Sequence, residues 1–131
     1  MILLDTHALA WLVADPDRLS RPAFSAIRRA RRTQGIGISA MSLWELALLY
    51  SRGNLVAVGT IETSVQLMVD RAGAVVKPLT AEVAALATQF PDDFPRDPAD
   101  RLIAATARSE GLVLVTRDER MRRSPLVKTV W

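Results

Sequence analysis

The stretch ILLDTHALAWL, residues 2–12, decides the fold class of this chain. Its first three residues are apolar without alternation, which is typical of a strand buried on both faces of a parallel sheet. Asp5 ends this strand, and its side chain can cap a helix that begins at Thr6. A strand that passes directly into a helix predicts the first half of a βαβ unit.

Four further runs have strand character, namely IGIS (36–39), AVVKPL (74–79), LVLVT (112–116) and VKTVW (127–131). The first three of these are also mostly apolar, as expected of strands covered on both faces. Helical patterns separate the runs. The sequence therefore predicts an α/β protein with three layers (α/β/α) and a central, mostly parallel sheet of four to five strands. No repeat or interdomain linker interrupts residues 1–131, so we expect a single domain.

Three helices begin after a hydroxyl residue that can cap them: Ser20 before a helix bearing Phe24 and Ile27, Thr60 before residues 61–72, and Thr80 before a helix through Val83, Leu86 and Phe90. Ser and Thr are favoured at this position because the side-chain oxygen accepts from a free backbone N–H. Glycines follow the predicted helices, where a left-handed residue is needed, at Gly35, Gly53, Gly73 and Gly111.

Composition restricts the class of protein. Half of the 131 residues are hydrophobic, and there is no cysteine, which excludes disulfides and thiolate metal sites. Met1 leads into ILLD without a basic segment, and the apolar stretch 36–50 is too short for a membrane span, so we expect a soluble, cytoplasmic protein. The net charge is +3 and fifteen of the seventeen basic residues are arginine. This bias favours a nucleic-acid partner, although arginine-rich codon usage explains it equally well.

Five acids fall where a parallel sheet binds ligands, at the carboxyl ends of its strands. Asp5 ends the first strand, and Asp118 follows the run LVLVT (112–116). Glu45 lies in the first turns of the helix after the run IGIS (36–39). Asp97 and Asp100 open the helix that leads into the run LVLVT. The sequence therefore predicts that all five carboxylates gather at one edge. A purely structural alternative stays open for Asp5, Asp97 and Asp118, because each can cap the helix that follows it.

Glu45 is the hardest of these acids to explain as a structural residue. Its helix reads SLWELALLYSR, which is apolar on nearly every side and predicts burial in a core or an interface. A carboxylate there is costly unless a cation or hydrogen bonds compensate. Arg52, seven residues away, is the nearest basic residue, and a structural explanation by an arginine more distant in sequence stays open.

The segment RDPADRLIAATA (96–107) carries two acids three residues apart. Asp97 at the N-cap, Pro98 at the first helical position and Asp100 at the third form a favourable helix start. The same spacing brings both carboxylates to one end of the helix, where a metal ion can use them. We expect Asp97 to cap the helix and Asp100 to face the metal.

Converging carboxylates repel each other, and a divalent cation removes the conflict. With oxygen ligands only, Mg²⁺ or Mn²⁺ is favoured over Zn²⁺, and such a site can act on a phosphodiester. Thr6 and Thr116 each neighbour an acid and can hydrogen-bond to a carboxylate or to a metal-bound water. A single histidine such as His7 more often packs or hydrogen-bonds than catalyses. No glycine-rich phosphate loop is present.

Two clusters of arginines remain. One cluster lies beside Asp118 and can hold a nucleic-acid backbone: Arg117, Arg120, Arg122 and Arg123. The other is typical of a solvated helix face: Arg28, Arg29, Arg31 and Arg32.

Four motifs in this order resemble a PIN-domain ribonuclease, specifically a VapC-type toxin of a type II toxin–antitoxin pair. They are LLDTHALAWLVADPDRLS (3–20), ISAMSLWELALLYSRGNL (38–55), DPADRLIAATA (97–107) and LVLVTRDERM (112–121), and together they span nearly the whole chain. The acidic quartet of the family matches Asp5, Glu45, Asp100 and Asp118. Asp97 matches a position that is often acidic in this subgroup, and Thr116 matches a small hydroxyl residue that often accompanies the site.

The resemblance implies a PIN-like fold and a Mg²⁺- or Mn²⁺-dependent endoribonuclease with one or two ions. It also implies a homodimer and a cognate antitoxin that occupies the active-site groove, with promoter DNA bound mostly through the antitoxin. Related sequences often carry a lysine where Leu49 stands and a basic residue where Asn54 stands. This sequence has neither, so no basic contact is predicted from those two positions.

Two other classes of function stay open from the sequence. A PIN-like module that binds an antitoxin or nucleic acid without turnover is one, although it gives no reason to keep a buried Glu45. A structure-specific DNA nuclease on the same fold is the other, and competition between RNA and DNA substrates would separate it from a ribonuclease.

Overall fold

The computed structural model describes residues 1–131, which form a five-stranded sheet covered by helices. The strands are β1 (Ile2–Leu4), β2 (Ile36–Ser39), β3 (Ala74–Lys77), β4 (Val113–Val115) and β5 (Thr129–Val130). They lie in the order β3-β2-β1-β4-β5, and every pairing is parallel. Ile2 pairs with Ile36 on one side and with Val113 on the other, so β1 is the central strand. The predicted sheet is confirmed.

Seven helices connect or flank these strands. They are α1 (Thr6–Ala14), α2 (Arg21–Arg32), α3 (Ala40–Ser51), α4 (Ile61–Ala72), α5 (Ala81–Ala87), α6 (Pro98–Ser109) and α7 (Glu119–Arg123), with a 3₁₀ turn at Pro16–Arg18. None of these helices has the length and apolar character needed to cross a membrane.

The predicted helix caps are confirmed. The side chains of Ser20, Thr60 and Thr80 accept from the backbone N–H groups three residues later, at distances of 3.0–3.2 Å. Gly73, which follows α4, has a φ of +66°, a left-handed conformation that side chains with a Cβ rarely adopt. These signals are local, because each depends on residues within about four positions of the helix end.

Two hydrophobic cores lie on opposite faces of the sheet. Leu4, Ile38 and Val115 belong to the core that also contains residues of α1, α2 and α4. Leu3 and Leu114 belong to the second core, with residues of α5, α6 and α7. Because neighbouring residues of β1 enter different cores, the sheet is buried on both faces, and the three-layer architecture is confirmed.

Two predictions about individual elements were wrong. The apolar run at β3 is not covered on both faces, since Val75 and Val76 are exposed; β3 is an edge strand, and strand order cannot be read from a local apolar pattern. The helix capped by Thr80 ends at Ala87 and does not reach Phe90. Phe90 instead stacks on Phe94 at 4.1 Å between ring centroids, and its carbonyl accepts from the Arg101 guanidinium.

Helix α3 is not a core helix, although its sequence is apolar. Only Ser42 and Leu46 are fully buried in it, and Trp44 is 57% exposed. Apolar side chains therefore remain on the surface of α3, as in a helix that binds another protein.

Candidate metal centre

The predicted acids meet at the carboxyl edge of the sheet. Asp5 follows β1 directly, and its backbone N–H donates to the Val115 carbonyl of β4, which fixes the two strand ends side by side. A cavity of about 270 Å³ opens at this edge. Its lining residues are Asp5, Thr6, His7, Glu45, Leu48, Leu49, Arg52, Asp100 and Asp118. All four acids of the predicted quartet therefore line one cavity.

Three of the five acids lie especially close together. Glu45, Asp97 and Asp100 each place a carboxylate oxygen within 4.8 Å of the others. Asp5 and Asp118 belong to the same cavity but not to this closest group. Asp97 also caps α6 as predicted, because its Oδ1 accepts from the Ala99 N–H at 2.9 Å. The sequence did not predict that Asp97 would belong to the closest group of carboxylates, together with Glu45 and Asp100.

Asp5 is held rigidly. It is 4% exposed, and its Oδ1 accepts from the Thr6 N–H at 2.8 Å. Its Oδ2 accepts from the Thr116 hydroxyl at 2.7 Å, although Thr116 lies 111 positions away in the chain. The Thr116 oxygen in turn accepts from the Asp118 N–H at 3.1 Å. One buried hydroxyl therefore fixes the positions of two of the acids relative to each other.

Thr6 has the same role on the other side of the cavity. Its hydroxyl donates to Glu45 Oε1 at 2.6 Å and lies 2.9 Å from the Ser42 hydroxyl. Asp118 accepts from the Met121 N–H at 3.0 Å and so caps α7. Both threonines that the sequence placed beside the acids thus bond to carboxylates directly.

The electrostatic cost of this arrangement is visible in two pKa values. Burial raises the pKa of Glu45 above its ordinary value, the hydrogen bond from Thr6 lowers it, and the charges of Asp5 and Asp97 raise it further. Burial raises the pKa of Asp100 to about 7, and repulsion from Asp5, Asp97, Glu45 and Asp118 adds to the effect. At neutral pH, Asp100 is therefore close to half protonated.

No basic side chain neutralises the cluster. The chain has two ion pairs within 4.0 Å, Lys77 with Glu110 and His7 with Asp5, and neither involves Glu45, Asp97 or Asp100. A structural explanation of Glu45 by a distant arginine is therefore wrong. The donors are all carboxylate and hydroxyl oxygens, which are the ligands that Mg²⁺ and Mn²⁺ prefer. The cluster fits a divalent cation by charge, spacing and donor chemistry.

Sequence reasoning missed Arg52 as a residue of this cavity. Arg52 follows α3 as its C-cap and lines the same cavity as Glu45. The signal was present, because seven residues make two helical turns and return to the same face. A basic side chain therefore reaches the cavity from α3, although Leu49 and Asn54 are not basic.

His7 acts as the sequence suggested, through hydrogen bonding. Its Nε2 accepts from the Arg117 N–H at 3.0 Å, and its Nδ1 lies 3.5 Å from Asp5 Oδ2. Since Nε2 accepts, the ring proton lies on Nδ1 and faces the carboxylate. His7 therefore ties the segment between β4 and α7 to the cavity.

The four arginines beside Asp118 contact several neighbouring surfaces. The guanidinium of Arg117 lies 5.8 Å from the Trp11 ring centroid. Arg122 and Arg123 line a cleft with Trp131, whereas Arg120 and Arg123 line another cavity with Phe94. The arginines of the other predicted cluster are all exposed on α2, as expected of a solvated helix face: Arg28, Arg29, Arg31 and Arg32.

Comparison with known proteins places this geometry in a family. The chain is 39% identical over 132 residues to "Ribonuclease VapC22" of Mycobacterium tuberculosis, which covers 99% of this chain and 98% of that protein. It is similar in fold to VapBC2 from Rickettsia felis bound to a promoter DNA fragment, with a TM-score of 0.73, 18% identity and coverage of 99% and 98%. A toxin–antitoxin complex from Klebsiella pneumoniae matches with a TM-score of 0.63, 18% identity and coverage of 100% and 97%.

The family model that matches is the PIN domain, over residues 2–125, a range that contains every acid of the cavity. The parallel sheet, the acids at its carboxyl edge and the extent of these matches agree with one another. The chain therefore belongs to the PIN-domain family and, within it, to the VapC proteins.

Proposed function

We propose that this protein is a divalent-metal-dependent endoribonuclease that acts as the toxin of a toxin–antitoxin pair. The observation that carries the proposal is the close group of half-buried Glu45 and Asp100 with exposed Asp97, which lies beside Asp5 and Asp118 and forms no ion pair with a basic side chain. The relative from M. tuberculosis is named a ribonuclease, and this supports RNA as the substrate.

In this proposal, Asp5, Glu45, Asp100 and Asp118 hold one or two Mg²⁺ or Mn²⁺ ions, and Asp97 adds a fifth carboxylate. When bound, a divalent cation supplies the positive charge that orients a phosphodiester and stabilises the charge developed during hydrolysis. Thr6 and Thr116 keep Glu45 and Asp5 in place through short hydrogen bonds. Preformed ligands lower the reorganisation needed when substrate binds.

Asp100 couples the site to pH. Its pKa of about 7 means that the side chain carries a proton for part of the time at neutral pH. Asp100 must release this proton to serve as a ligand, so metal affinity rises as the pH increases through 7. Arg52 lines the cavity, and Arg117, Arg120, Arg122 and Arg123 lie outside it, where they can contact RNA phosphates.

The antitoxin partner is proposed to bind an apolar groove beside the metal centre. The groove has a volume of about 310 Å³ and is lined mostly by apolar residues between α1, α3 and α4, including Val13, Tyr50, Leu55, Val58 and Met68. Val56, also in its lining, is 89% exposed. Such a surface fits an amphipathic peptide segment. Tyr50 and Glu45 both belong to α3, so the groove and the metal centre share this helix, and a bound antitoxin would reach promoter DNA with its own DNA-binding part.

A second apolar surface suits a homodimer. Met41, Trp44 and Leu79 line a cavity of about 460 Å³ on the side of α3 near Asp97. Trp44 and Leu79 are exposed, and large exposed aromatic residues are enriched in interfaces between protein chains. We propose that two copies of the chain associate through this surface, so that each copy buries the exposed Trp44 and Leu79 of the other.

Cleavage of RNA tests the enzymatic proposal. Asp5→Asn and Asp100→Asn should each lower Mn²⁺-dependent cleavage of cellular RNA by at least about 100-fold, because each removes a ligand charge. Asp97→Asn keeps an acceptor for the helix cap and should lower cleavage less. Gel analysis and growth arrest after brief expression are the measurements.

Asp92→Asn, in an exposed loop, is the matched control and should change neither readout. Full cleavage by Asp5→Asn, or equal cleavage in EDTA, would contradict the proposal. Faster cleavage of single-stranded DNA than of RNA of the same sequence would favour a DNA nuclease instead.

The raised pKa of Asp100 predicts an unusual stability profile for the protein in EDTA. The folded state binds the Asp100 proton more tightly than the unfolded state, whose pKa is near 3.8. The stability linked to this group is therefore fully present below about pH 4 and is lost as the pH rises through 7. Asp100→Asn should be more stable than the wild type at pH 8, by about 1–2 kcal/mol after allowance for solvent screening.

Urea unfolding at pH 4 and pH 8 measures this difference, which should shrink at the lower pH. Added Mn²⁺ should stabilise the wild type more than Asp100→Asn. Lower stability of Asp100→Asn at pH 8 would show that the carboxylate is not under electrostatic stress.

Substitutions of Thr116 test whether the positions of Asp5 and Asp118 matter for catalysis, without removal of a carboxylate. Thr116→Val keeps the buried shape but removes the hydroxyl that joins Asp5 to Asp118, and it should lower kcat by about 10-fold or more. Thr116→Ser retains the hydroxyl and should restore most of kcat. If both variants lose the same activity, packing and not the hydrogen bond is responsible.

The groove predicts where an antitoxin acts. Val58→Asp places a charge in the apolar lining and should weaken the rescue of growth by the co-expressed antitoxin, while purified RNA cleavage stays unchanged. Val75→Asp, on the exposed edge strand β3, is the control and should leave the rescue intact. Equal rescue for both variants would place the antitoxin elsewhere.

A further inference from the structure

A basic cleft with an aromatic wall lies outside the metal centre. Its volume is about 530 Å³, and its lining consists of Glu119, Arg122, Arg123, Thr129, Val130 and Trp131. Arg122 and Arg123 are exposed, and neither forms an ion pair within 4.0 Å. The cleft therefore presents two unpaired guanidinium groups beside an indole ring, with a single acid among its lining residues.

A row of aromatic rings connects this cleft to the metal centre. The ring centroid of Trp131 lies 6.1 Å from that of His7 and 5.8 Å from that of Trp11. His7 also lines the acidic cavity, where it faces Asp5. His7 therefore lies between the carboxylates and Trp131, so the cleft and the metal centre are separated by a single ring.

The chemistry of the cleft selects its ligand. Guanidinium groups bind phosphate through paired N–H donors, and an indole stacks on a nucleobase whatever its sequence. An unpaired nucleotide presents both groups, whereas bases inside a duplex are stacked on one another and have no free face. A purely apolar peptide would leave Arg122 and Arg123 without partners.

We propose that the Trp131 cleft is a nucleotide subsite for single-stranded RNA, in which a base stacks on Trp131 and Arg122 and Arg123 hold the neighbouring phosphates. This inference rests on the proposed function, because the ligand is part of the same RNA strand that enters the metal centre. The enzyme then takes an unpaired segment and cleaves it at a fixed distance from the stacked base.

Binding in EDTA tests the subsite without cleavage. The probe is a fluorescein-labelled single-stranded oligoribonucleotide, and fluorescence anisotropy reports its Kd. Trp131→Leu keeps apolar packing but loses the aromatic face, and it should weaken binding roughly 5- to 100-fold. Trp131→Phe keeps a stacking face and should retain most of the affinity. Phe24→Leu is the control, since Phe24 is an exposed ring with Arg28 beside it on α2, outside the cleft.

The arginines are tested by salt dependence. Arg122→Gln with Arg123→Gln should weaken binding and lower the slope of log K against log salt by about 1.4, the value for two phosphate contacts on a single strand. Arg29→Gln with Arg32→Gln removes the same charge from the solvated face of α2 and should leave the slope nearly unchanged. An equal effect of both pairs would overturn the assignment of the arginines to the cleft.

An abasic nucleotide moved along the probe locates the stacked base. At one position it should weaken wild-type binding by the same factor as Trp131→Leu, and it should weaken Trp131→Leu binding no further. Unchanged affinity of Trp131→Leu, or equally tight binding of duplex RNA, would overturn the subsite. Failure of the wild type to cleave RNA with Mn²⁺ would instead overturn the proposed function, so the two failures are distinguishable.

Discussion

The repulsion among five carboxylates at one sheet edge is the constraint on which the rest of this structure depends. A parallel sheet brings its carboxyl ends together, and in this chain Asp5, Asp118 and the start of α6 all lie there. Helix N-termini tolerate negative charge, and Asp5, Asp97 and Asp118 each cap the helix that follows. Asp100 also lies in the first turn of α6, but burial and the charges of the other four acids still raise its pKa to about 7. In the proposed function, a bound divalent cation neutralises the carboxylates and removes this conflict.

Asp97 shows that capping and ligand roles are compatible in one side chain. Its Oδ1 accepts from the Ala99 N–H, and a carboxylate oxygen of the same side chain lies within 4.8 Å of Glu45 and Asp100. The pair of threonines performs a related task, since each uses its hydroxyl to fix a carboxylate without adding charge. Structural stabilisation and site assembly therefore use the same atoms, and substitutions at this edge affect both.

The proposed surfaces for RNA and for protein partners lie on different sides of the metal centre. On one side, His7 separates the cavity from the Trp131 cleft, whose arginines and indole are the proposed contacts of an RNA strand. The apolar groove beside α4 and the exposed face around Trp44 lie along α3, which also carries Glu45. In the proposed function, the apolar side chains of α3 contact protein partners and its single acid, Glu45, holds the metal. The proposal accounts for an almost uniformly apolar helix that contains few buried residues.

The sequence by itself determined the local elements and the class of the site. Helix caps, glycine stops and apolar runs depend on contacts within about four residues, so Ser20, Thr60 and Gly73 could be interpreted correctly from the sequence. The connection of strands to helices also predicted that the acids share one edge. Tertiary structure alone decided the strand order, which left Val75 exposed on an edge strand. It also decided which cavities Arg52 and Trp131 line. The strand order and these contacts depend on pairings between distant segments, such as the hydrogen bond from Thr116 to Asp5. Such pairings form only in the packed fold, so no local sequence pattern reports them.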